Sequence, residues 1–280
     1  MIAFCYSPSD NRSFLAMAHC ALAIRVSQHK NKRTEMNSNW YEHFFHGVAL
    51  DMWRRAMPPE ITNTEVEFLA AEIGAPAGGR ILDIACGEGR HALGMAAKGY
   101  APTGVDISSE SIDAARAADP KQEWVCSDMR NLPWDTAFDG GYSMGNSFGY
   151  LQHEETLEFL RALSKTLKPG ARFVLEIGTV AESLLTNFQP RAWYELGDLL
   201  FLAAREYKAQ IGRLEIQYTF IRNGISDTRE ASFAVYTAAE ISRMLAAVGM
   251  PVVAMYGSPA REPYKLGSPR LLAVAGKLPA

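Results

Sequence analysis

"DIACGEGRHA", residues 83–92, directly follows the apolar pair Ile81-Leu82 and decides the fold. Gly87, Gly89 and Ala92 occupy the three places of the nucleotide-binding pattern G-x-G-x-x-G/A. Glycines between a strand and a helix let the backbone approach a ligand and aim helix N-terminal N–H groups at it. Asp83, however, stands where a dinucleotide-binding strand is normally apolar. Its carboxylate would repel a pyrophosphate but attract an ammonium group, so the loop favours a cationic ligand.

The composition is that of an ordinary globular protein, with 280 residues, 48% hydrophobic and 21% charged. A net charge of −3 provides no basic field for a phosphate backbone, which argues against nucleic acid as a partner. The cysteines form no C-x-x-C pair and a chain of this size needs no disulfide, so a reducing, cytoplasmic location is expected.

Strand-like and helix-like stretches alternate from residue 80 onward, which predicts a parallel sheet covered by helices. The predicted strands are residues 80–86, 103–107, 123–128, 140–146 and 171–178, followed after a long insertion by 252–257 and 270–277. The insertion contains β-like runs over 199–237 and the hairpin signal Asn223-Gly224, which together predict an antiparallel meander. A helical lead over residues 40–55 and 61–73 precedes the sheet.

Two further acids follow successive predicted strands. Asp106 ends the second strand about twenty residues after the glycine loop, where ribose hydroxyls are held in nucleotide sites. Asp128 ends the third strand, where its carboxylate is placed to accept a hydrogen bond from an adenine amino group. Three acids at three strand ends, with a glycine loop after the first, predict a site for a phosphate-free adenosine ligand.

The motifs "ILDIACGEGRHA", "GVDIS", "SDMRNLP", "FDGGYSMGNSFGYL" and "LKPGARFVLEI" follow one another as in the class I S-adenosylmethionine-dependent methyltransferases, which the chain resembles from about residue 40 to its end. The resemblance implies an α/β fold, a doubly wound Rossmann-like seven-stranded sheet with only its last strand antiparallel. It also implies that residues 191–237 form a β meander inserted as a substrate cap.

The resemblance further implies S-adenosyl-L-methionine as the cofactor, with S-adenosyl-L-homocysteine as the product. The loop residues Ala85, Gly87 and Gly89, with Asp83, would take its methionyl part. Asp106 and Ile107 would hold the ribose, and Asp128 with Met129 the adenine. Tyr41, on the leading helix, would contact the cofactor from above; core packing is the alternative for this ring.

Methyl transfer requires positioning of a nucleophile that belongs to the substrate, so no universal catalytic residue is expected. The sequence "GNSFGY" after the fourth strand differs from the motif of adenine-type DNA methylases, which favours methylation of an O or N nucleophile on a small molecule. Asn146 would face the methyl group, unless it serves a turn. His153 is the candidate base, with a helix cap or surface position as the alternative.

Arg205, Tyr207, Tyr218 and Arg222 of the meander are candidate pocket residues. Alternation along a strand predicts that about half of such side chains point away from the pocket. The arginines suggest an anionic substrate, with solvated edge arginines as the alternative.

No metal site is expected, because "HEETL" lacks the second histidine of H-E-x-x-H. Two other functions stay open at this point. One is a nicotinamide-dependent oxidoreductase, favoured by the literal glycine spacing, and the other is a catalytically inactive cofactor-binding scaffold.

The first 35 residues differ from the rest. Their apolar run, residues 14–24, is too short to span a bilayer, and basic residues follow it rather than precede it, unlike a signal peptide. We expect residues 1–35 to be a poorly ordered extension or the result of a non-native start. Residues 36–280 are expected to form one methyltransferase domain, a monomer or homodimer without membrane attachment.

Overall fold

The structure, a computed structural model, describes residues 39–279. The extension over residues 1–35 therefore lies outside the described residues. The elements are, in chain order, a 3-10 turn (Trp40–Glu42), α1 (Gly47–Ala56), α2 (Pro59–Ile73), β1 (Arg80–Ile84), α3 (Arg90–Ala97), β2 (Ala101–Asp106), α4 (Ser109–Ala118), β3 (Glu123–Cys126), β4 (Phe138–Ser143), α5 (His153–Thr166), β5 (Leu167–Ile177), α6 (Ala181–Leu184), β6 (Arg191–Leu196), β7 (Leu199–Lys208), β8 (Arg213–Arg222), β9 (Ile225–Ala234), α7 (Ala238–Ala247), β10 (Val252–Tyr256) and β11 (Leu271–Gly276).

Seven strands form the main sheet in the order β10-β11-β5-β4-β1-β2-β3. The last strand, β11, runs antiparallel to both of its neighbours, while the β1–β2, β1–β4, β2–β3 and β4–β5 pairs are parallel. The predicted doubly wound sheet with an antiparallel last strand is confirmed. The strand order reverses between β1 and β4, and such a switch point opens a crevice at the carboxyl ends of the strands.

Close packing requires glycine at two positions beside that crevice. Gly89 begins α3 at φ +79°, and a Cβ at this position would meet the Trp124 ring at 2.4 Å. A Cβ on Gly104 of β2 would meet the same ring at 2.5 Å. The Trp124 indole therefore fixes how closely the glycine loop lies against the sheet.

Four strands form a separate antiparallel sheet in the order β6-β7-β8-β9, which we call the cap. Asn223 and Gly224 join β8 to β9 with φ of +52° and +76°, so the predicted hairpin is confirmed. Thr237 then accepts a hydrogen bond from the Glu240 amide at 3.1 Å in a capping box that opens α7.

The leading helix predicted over residues 40–55 is interrupted: the 3-10 turn ends at Glu42 and α1 begins only at Gly47. Arg229 of the cap explains the break, because its Nη1 donates to the carbonyl oxygens of Phe44 and His46, the latter at 3.0 Å. A continuous helix would use the Phe44 carbonyl for its own ladder.

Trp40 and α1 hold the lead against the cap. The Trp40 ring is 6% exposed, packs against Tyr150 and Phe233, and donates from Nε1 to the Ser232 carbonyl at 2.9 Å. Asp51 of α1 forms an ion pair with Arg222 of β8. These contacts make the lead part of the folded unit.

Within residues 39–279 no helix combines the length and apolar character needed to cross a bilayer.

Replacing Trp40 by alanine should lower the free energy of unfolding by about 3–5 kcal/mol, because a large buried ring and its hydrogen bond are lost. Trp193, which is 57% exposed on the cap, provides the matched control. Trp193→Ala should change stability by about 0.5 kcal/mol or less. Urea denaturation of both variants measures the difference, and equal effects would contradict the anchoring role of Trp40.

Candidate active site

A cavity of about 500 Å³ lies at the switch point, between the carboxyl ends of β1, β2 and β4 and the helices α1 and α2. This is the volume of a typical small-molecule site. Among the sequence-predicted cofactor residues, those on its wall are Tyr41, Ala85, Gly87, Asp106, Ile107, Asp128 and Met129.

The glycine loop forms the floor of the cavity. Ala85 and Gly87 have φ of +56° and +55°, so the backbone turns sharply here. A Cβ on Gly87 would meet no atom within 4 Å, which means that the loop presents bare backbone to open space. Such a surface admits a ligand at the closest possible distance.

Asp106 fixes the shape of this loop. Its Oδ2 accepts a hydrogen bond from the Gly87 amide and its Oδ1 one from the Ser108 amide, both at 2.8 Å. Burial raises the pKa of Asp106, although these backbone hydrogen bonds oppose the rise. Asp106 lines the cavity, and each of its carboxylate oxygens can accept a further hydrogen bond, which leaves capacity for ligand hydroxyls.

Asp83 lies behind the loop rather than on the cavity wall, and it is 1% exposed. Its Oδ2 has no hydrogen-bond partner among the described residues; the Tyr142 hydroxyl lies beside it without adopting hydrogen-bond geometry. Burial raises the pKa of Asp83 to about 8. A buried carboxylate is costly; the Arg90 charge offsets this cost only in part, and a cationic ligand would relieve it further.

Asp128 is held by an arginine. Arg130 donates from Nη2 to Oδ2 at 2.6 Å and from Nε to Oδ1 at 3.0 Å, and its Nη1 donates to Glu155 at 2.5 Å. Burial tends to raise the pKa of Asp128, but the hydrogen bonds from Arg130 outweigh it and lower the pKa. Asp128 therefore presents an ionised, oriented acceptor to the cavity.

One face of α1 covers the cavity with residues at helical spacing: Leu50, Trp53, Arg54 and Met57. Arg54 reaches the glycine loop and donates from Nε to Glu88 Oε2 at 2.8 Å. Within residues 39–279, the Trp53 Nε1 and the Tyr41 hydroxyl are buried without partners. These two polar groups therefore lie at the cavity wall, where a ligand could form hydrogen bonds with them.

A buried charge network joins the walls of the cavity. Glu65 of α2 accepts from His91 Nε2 and Arg90 Nη1 through Oε2, both at 2.8 Å, and from Arg270 through Oε1 at 2.7 Å. Arg270 also binds Glu176 at 2.5 Å. Burial favours the neutral form of Glu65, but His91 and the arginines outweigh it and hold its pKa far below the usual range.

Glu176 connects this network to the loop after β4. Its Oε2 accepts from the Gly145 amide at 2.6 Å, and Gly145 lines the cavity. Arg90 and His91, at the start of α3, line it as well. The network therefore sets the distance between the glycine loop and the loop after β4.

Besides Asp83, three sequence-predicted site residues lie off the cavity wall. Gly89 begins α3 against Trp124. Asn146, with φ +66°, turns its Oδ1 to the amides of Gly178 and Thr179 at 2.7 and 3.1 Å, so the structure favours its turn role. His153 is exposed at the start of α5, with Nδ1 3.3 Å from the Tyr236 hydroxyl, and so occupies the surface position.

The four candidate residues of the cap are Arg205, Tyr207, Tyr218 and Arg222. The strand register places all four on one face of the cap, contrary to the expectation that half would point away. Residues 205 and 207, like 218 and 222, are an even number of positions apart, and the β7–β8 pairing aligns the two sets. None of the four lines the cavity.

The wall also contains parts that were not predicted from the sequence, namely the α1 face, Thr62, Arg90, His91 and Tyr150. The helical spacing of residues 50, 53, 54 and 57 could have predicted that they share one face. The network around Glu65 left no such signal, because its members come from distant parts of the chain. Across the described part of the chain, no group of three or more His, Cys, Asp or Glu side chains is arranged to hold a metal ion.

Comparison with known proteins agrees with this architecture. A family model described as "Methyltransferase domain" matches residues 81–170. The cypemycin N-terminal methyltransferase of a Streptomyces species is 30% identical over 207 residues, which cover 71% of this chain and 84% of that protein.

Solved structures share the fold at low identity. The CcbJ methyltransferase from Streptomyces caelestis aligns with a TM-score of 0.70 and 21% identity, over 80% of this chain and 92% of that one. The amino pentose methyltransferase CalS10 from Micromonospora echinaspora, solved with S-adenosylmethionine bound, aligns with a TM-score of 0.65 and 18% identity, over 83% and 97% of the two chains. Together with the glycine loop and its acids, these matches show that the chain belongs to the class I S-adenosylmethionine-dependent methyltransferases.

Proposed function

We propose that this enzyme transfers a methyl group from S-adenosylmethionine to an oxygen or nitrogen nucleophile of a small molecule. The observation that carries the proposal is the buried Asp83 carboxylate, whose Oδ2 has no hydrogen-bond partner among the described residues, behind an open glycine loop that Asp106 also holds. The names of the relatives, which speak of an N-terminus and an amino pentose, support nitrogen as one acceptor.

The cavity residues fit this cofactor. Asp83 supplies the negative charge that the methionyl ammonium requires, directly or through water. Asp106 accepts from the ribose hydroxyls and Asp128 from the adenine amino group, while Ala85, Gly87, Ile107 and Met129 provide close backbone. When bound, the cofactor supplies a methyl group on a positively charged sulfur.

The remaining task of the chain is to orient the acceptor and exclude water. Tyr41 and the α1 face close the cavity from above, and Gly145 with Ser147 forms the wall at the end of β4. An amine that arrives unprotonated requires no general base. Asn146 and His153, which lie off this wall, are accordingly given no catalytic role.

Membership in the methyltransferase family removes the nicotinamide-dependent oxidoreductase from consideration. An inactive scaffold remains the alternative, and the intact loop and acids argue against it. We further propose that the enzyme is cytoplasmic, since Cys86 is free and buried and Cys126 is free. We also propose that it acts as a monomer or homodimer.

S-adenosylhomocysteine should stabilise the protein by about 2.7 kcal/mol at a hundredfold excess over Kd, whereas NADH should not. Thermal melting with each ligand measures this. A shift with NADH alone would overturn the cofactor assignment. Methyl transfer to pooled small metabolites, measured with labelled cofactor, then separates an enzyme from a scaffold.

Asp106→Ala should weaken binding of S-adenosylhomocysteine at least about tenfold, or roughly 1.4 kcal/mol, because the ribose acceptors are lost. It should also destabilise the free protein by about 1.5–3 kcal/mol, since the Gly87 amide loses a charged partner. Asp106→Asn should retain part of the affinity and part of the stability. Asp113→Ala, at an exposed carboxylate of α4, is the control. Calorimetry that finds wild-type affinity in Asp106→Ala would refute the ribose role.

The affinity for S-adenosylhomocysteine should rise between pH 6 and pH 8. The raised pKa of Asp83, about 8 in the free protein, means that the folded chain holds this proton more tightly than the unfolded chain, so Asp83 reduces stability as pH rises from about 4 to 8. A ligand ammonium favours the ionised form, and binding below pH 8 must release the proton. Calorimetric titration across this range, with Asp83→Asn giving a weaker and flatter profile, tests the coupling; a flat wild-type profile would contradict it.

A further inference from the structure

Four aromatic side chains form a continuous stretch of the cavity wall, which we call the aromatic wall: Tyr41, Phe45, Trp53 and Tyr150. The ring centroid of Tyr150 lies 6.0 Å from those of Tyr41 and Phe45. The Phe45 centroid lies 6.5 Å from that of Trp53. Each ring therefore neighbours the next, from the lead and the loop after β4 to helix α1.

Most of the aromatic wall lies outside the predicted cofactor contacts. Of the four rings, only that of Tyr41 belongs to a sequence-predicted cofactor residue. Tyr150 follows Gly145 and Ser147 in the loop after β4, and all three line the cavity. Trp53 extends the wall onto α1. These rings are therefore available to a second ligand, the methyl acceptor.

The basic side chains of the cavity wall are already paired. Arg54 donates to Glu88 and Arg90 to Glu65, each at 2.8 Å. The His91 Nε2 lies 2.8 Å from the same Glu65 carboxylate. The cap arginines that suggested an anionic substrate lie off this wall. Within the described residues, the cavity wall therefore offers an anionic acceptor no unpaired cationic side chain.

Aromatic rings favour a ligand of the opposite charge. The face of a ring carries a negative partial charge and attracts an ammonium group within about 6 Å of its centroid, more strongly where water is excluded. Tyr41 and Tyr150 are only 3% and 9% exposed, and burial raises the pKa of both hydroxyls, so both rings stay neutral. Neutral rings beside paired basic groups have the chemistry of an amine site.

Two hydrogen-bond donors accompany these rings. The Trp53 Nε1 and the Tyr41 hydroxyl are buried without partners in the part of the chain that the structure describes. An unpaired buried donor is costly, and an oxygen of the ligand would satisfy it. The ligand that fits the aromatic wall therefore carries an acceptor oxygen near its nitrogen.

We propose that the methyl acceptor is an amine whose nitrogen lies against the aromatic wall, with a hydroxyl or carbonyl oxygen beside it that accepts from Trp53 Nε1. The nitrogen lone pair forms the new N–C bond while the C–S bond breaks and leaves its electron pair on sulfur. The positive charge thus moves to nitrogen, and the rings stabilise the ammonium that forms. A proton on that ammonium leaves to water. This assignment rests on the proposed methyltransferase function and narrows its acceptor to nitrogen.

The test uses the full chain saturated with S-adenosylhomocysteine, titrated calorimetrically with choline and with 3,3-dimethyl-1-butanol, its neutral isostere. Choline should bind at least tenfold more tightly, because the two probes share their shape and hydroxyl and differ in charge. Trp53→Leu and Phe45→Leu should each lower the ratio of the two affinities at least threefold. The matched control is Trp193→Leu, the same substitution at an exposed tryptophan off the cavity wall, which should keep the wild-type ratio.

Equal binding of choline and 3,3-dimethyl-1-butanol by wild type would overturn the proposal. A wild-type ratio in both leucine variants would overturn it too, even where S-adenosylmethionine binds them more weakly, since the rings would then serve the cofactor's sulfonium. Should one leucine variant fail to fold, the other decides. Should both fail, Trp53→Phe decides: it lacks the Nε1 donor and must bind both probes more weakly than wild type. If wild type does not bind S-adenosylhomocysteine, the proposed function fails, which is distinct from failure at the aromatic wall.

Discussion

The hydrogen bond from the Gly87 amide to Asp106 Oδ2 is the constraint on which the site depends. It joins the loop after β1 to the end of β2, and so sets the left-handed turns at Ala85 and Gly87. Trp124 restricts the same loop from behind, where Gly89 and Gly104 leave no room for a side chain. A loop fixed from both sides presents its backbone to a ligand without having to reorganise, which is the condition for tight and oriented binding.

The network around Glu65 fixes the opposite wall of the cavity, as Asp106 fixes the glycine loop. Its two glutamates are balanced by Arg90 and Arg270, so the buried charges compensate one another. Removal of one member of such a set leaves an unpaired buried charge and typically costs about 3–5 kcal/mol. Because Glu176 ends the chain of contacts at the Gly145 amide, that cost is tied to the position of the loop after β4, which lines the cavity.

Much of this could be predicted from the sequence, and the successes share a cause. The glycine loop and the Asn223-Gly224 hairpin are local patterns, and the interactions that form them lie within a few residues of the chain. Asp106 and Asp128 both lie on the cavity wall, because the carboxyl ends of parallel strands meet at one edge of the sheet, and their roles toward the cofactor stay predictions. The family resemblance supplied the seven-stranded sheet with its antiparallel last strand and the place of the inserted meander, which no local pattern determines.

The failures depend on contacts between distant residues. The lead helix is broken by Arg229, which lies more than 180 residues further along the chain. Asn146 was assigned to the methyl group because it follows β4, but its amide oxygen is taken by the backbone after β5. The shared face of Arg205 and Tyr218 follows from the β7–β8 register, which the sequence of each strand alone does not specify.

The charges of the cap explain how the inserted sheet is held in place. Arg222 pairs with Asp51 of the lead, and Arg229 pairs with Asp227 and donates to the His46 carbonyl of the lead. Arg205 takes no part in this attachment, since among the described residues its side chain reaches only a carbonyl oxygen. The cap and the covering segment are therefore joined by arginines of two neighbouring strands, β8 and β9.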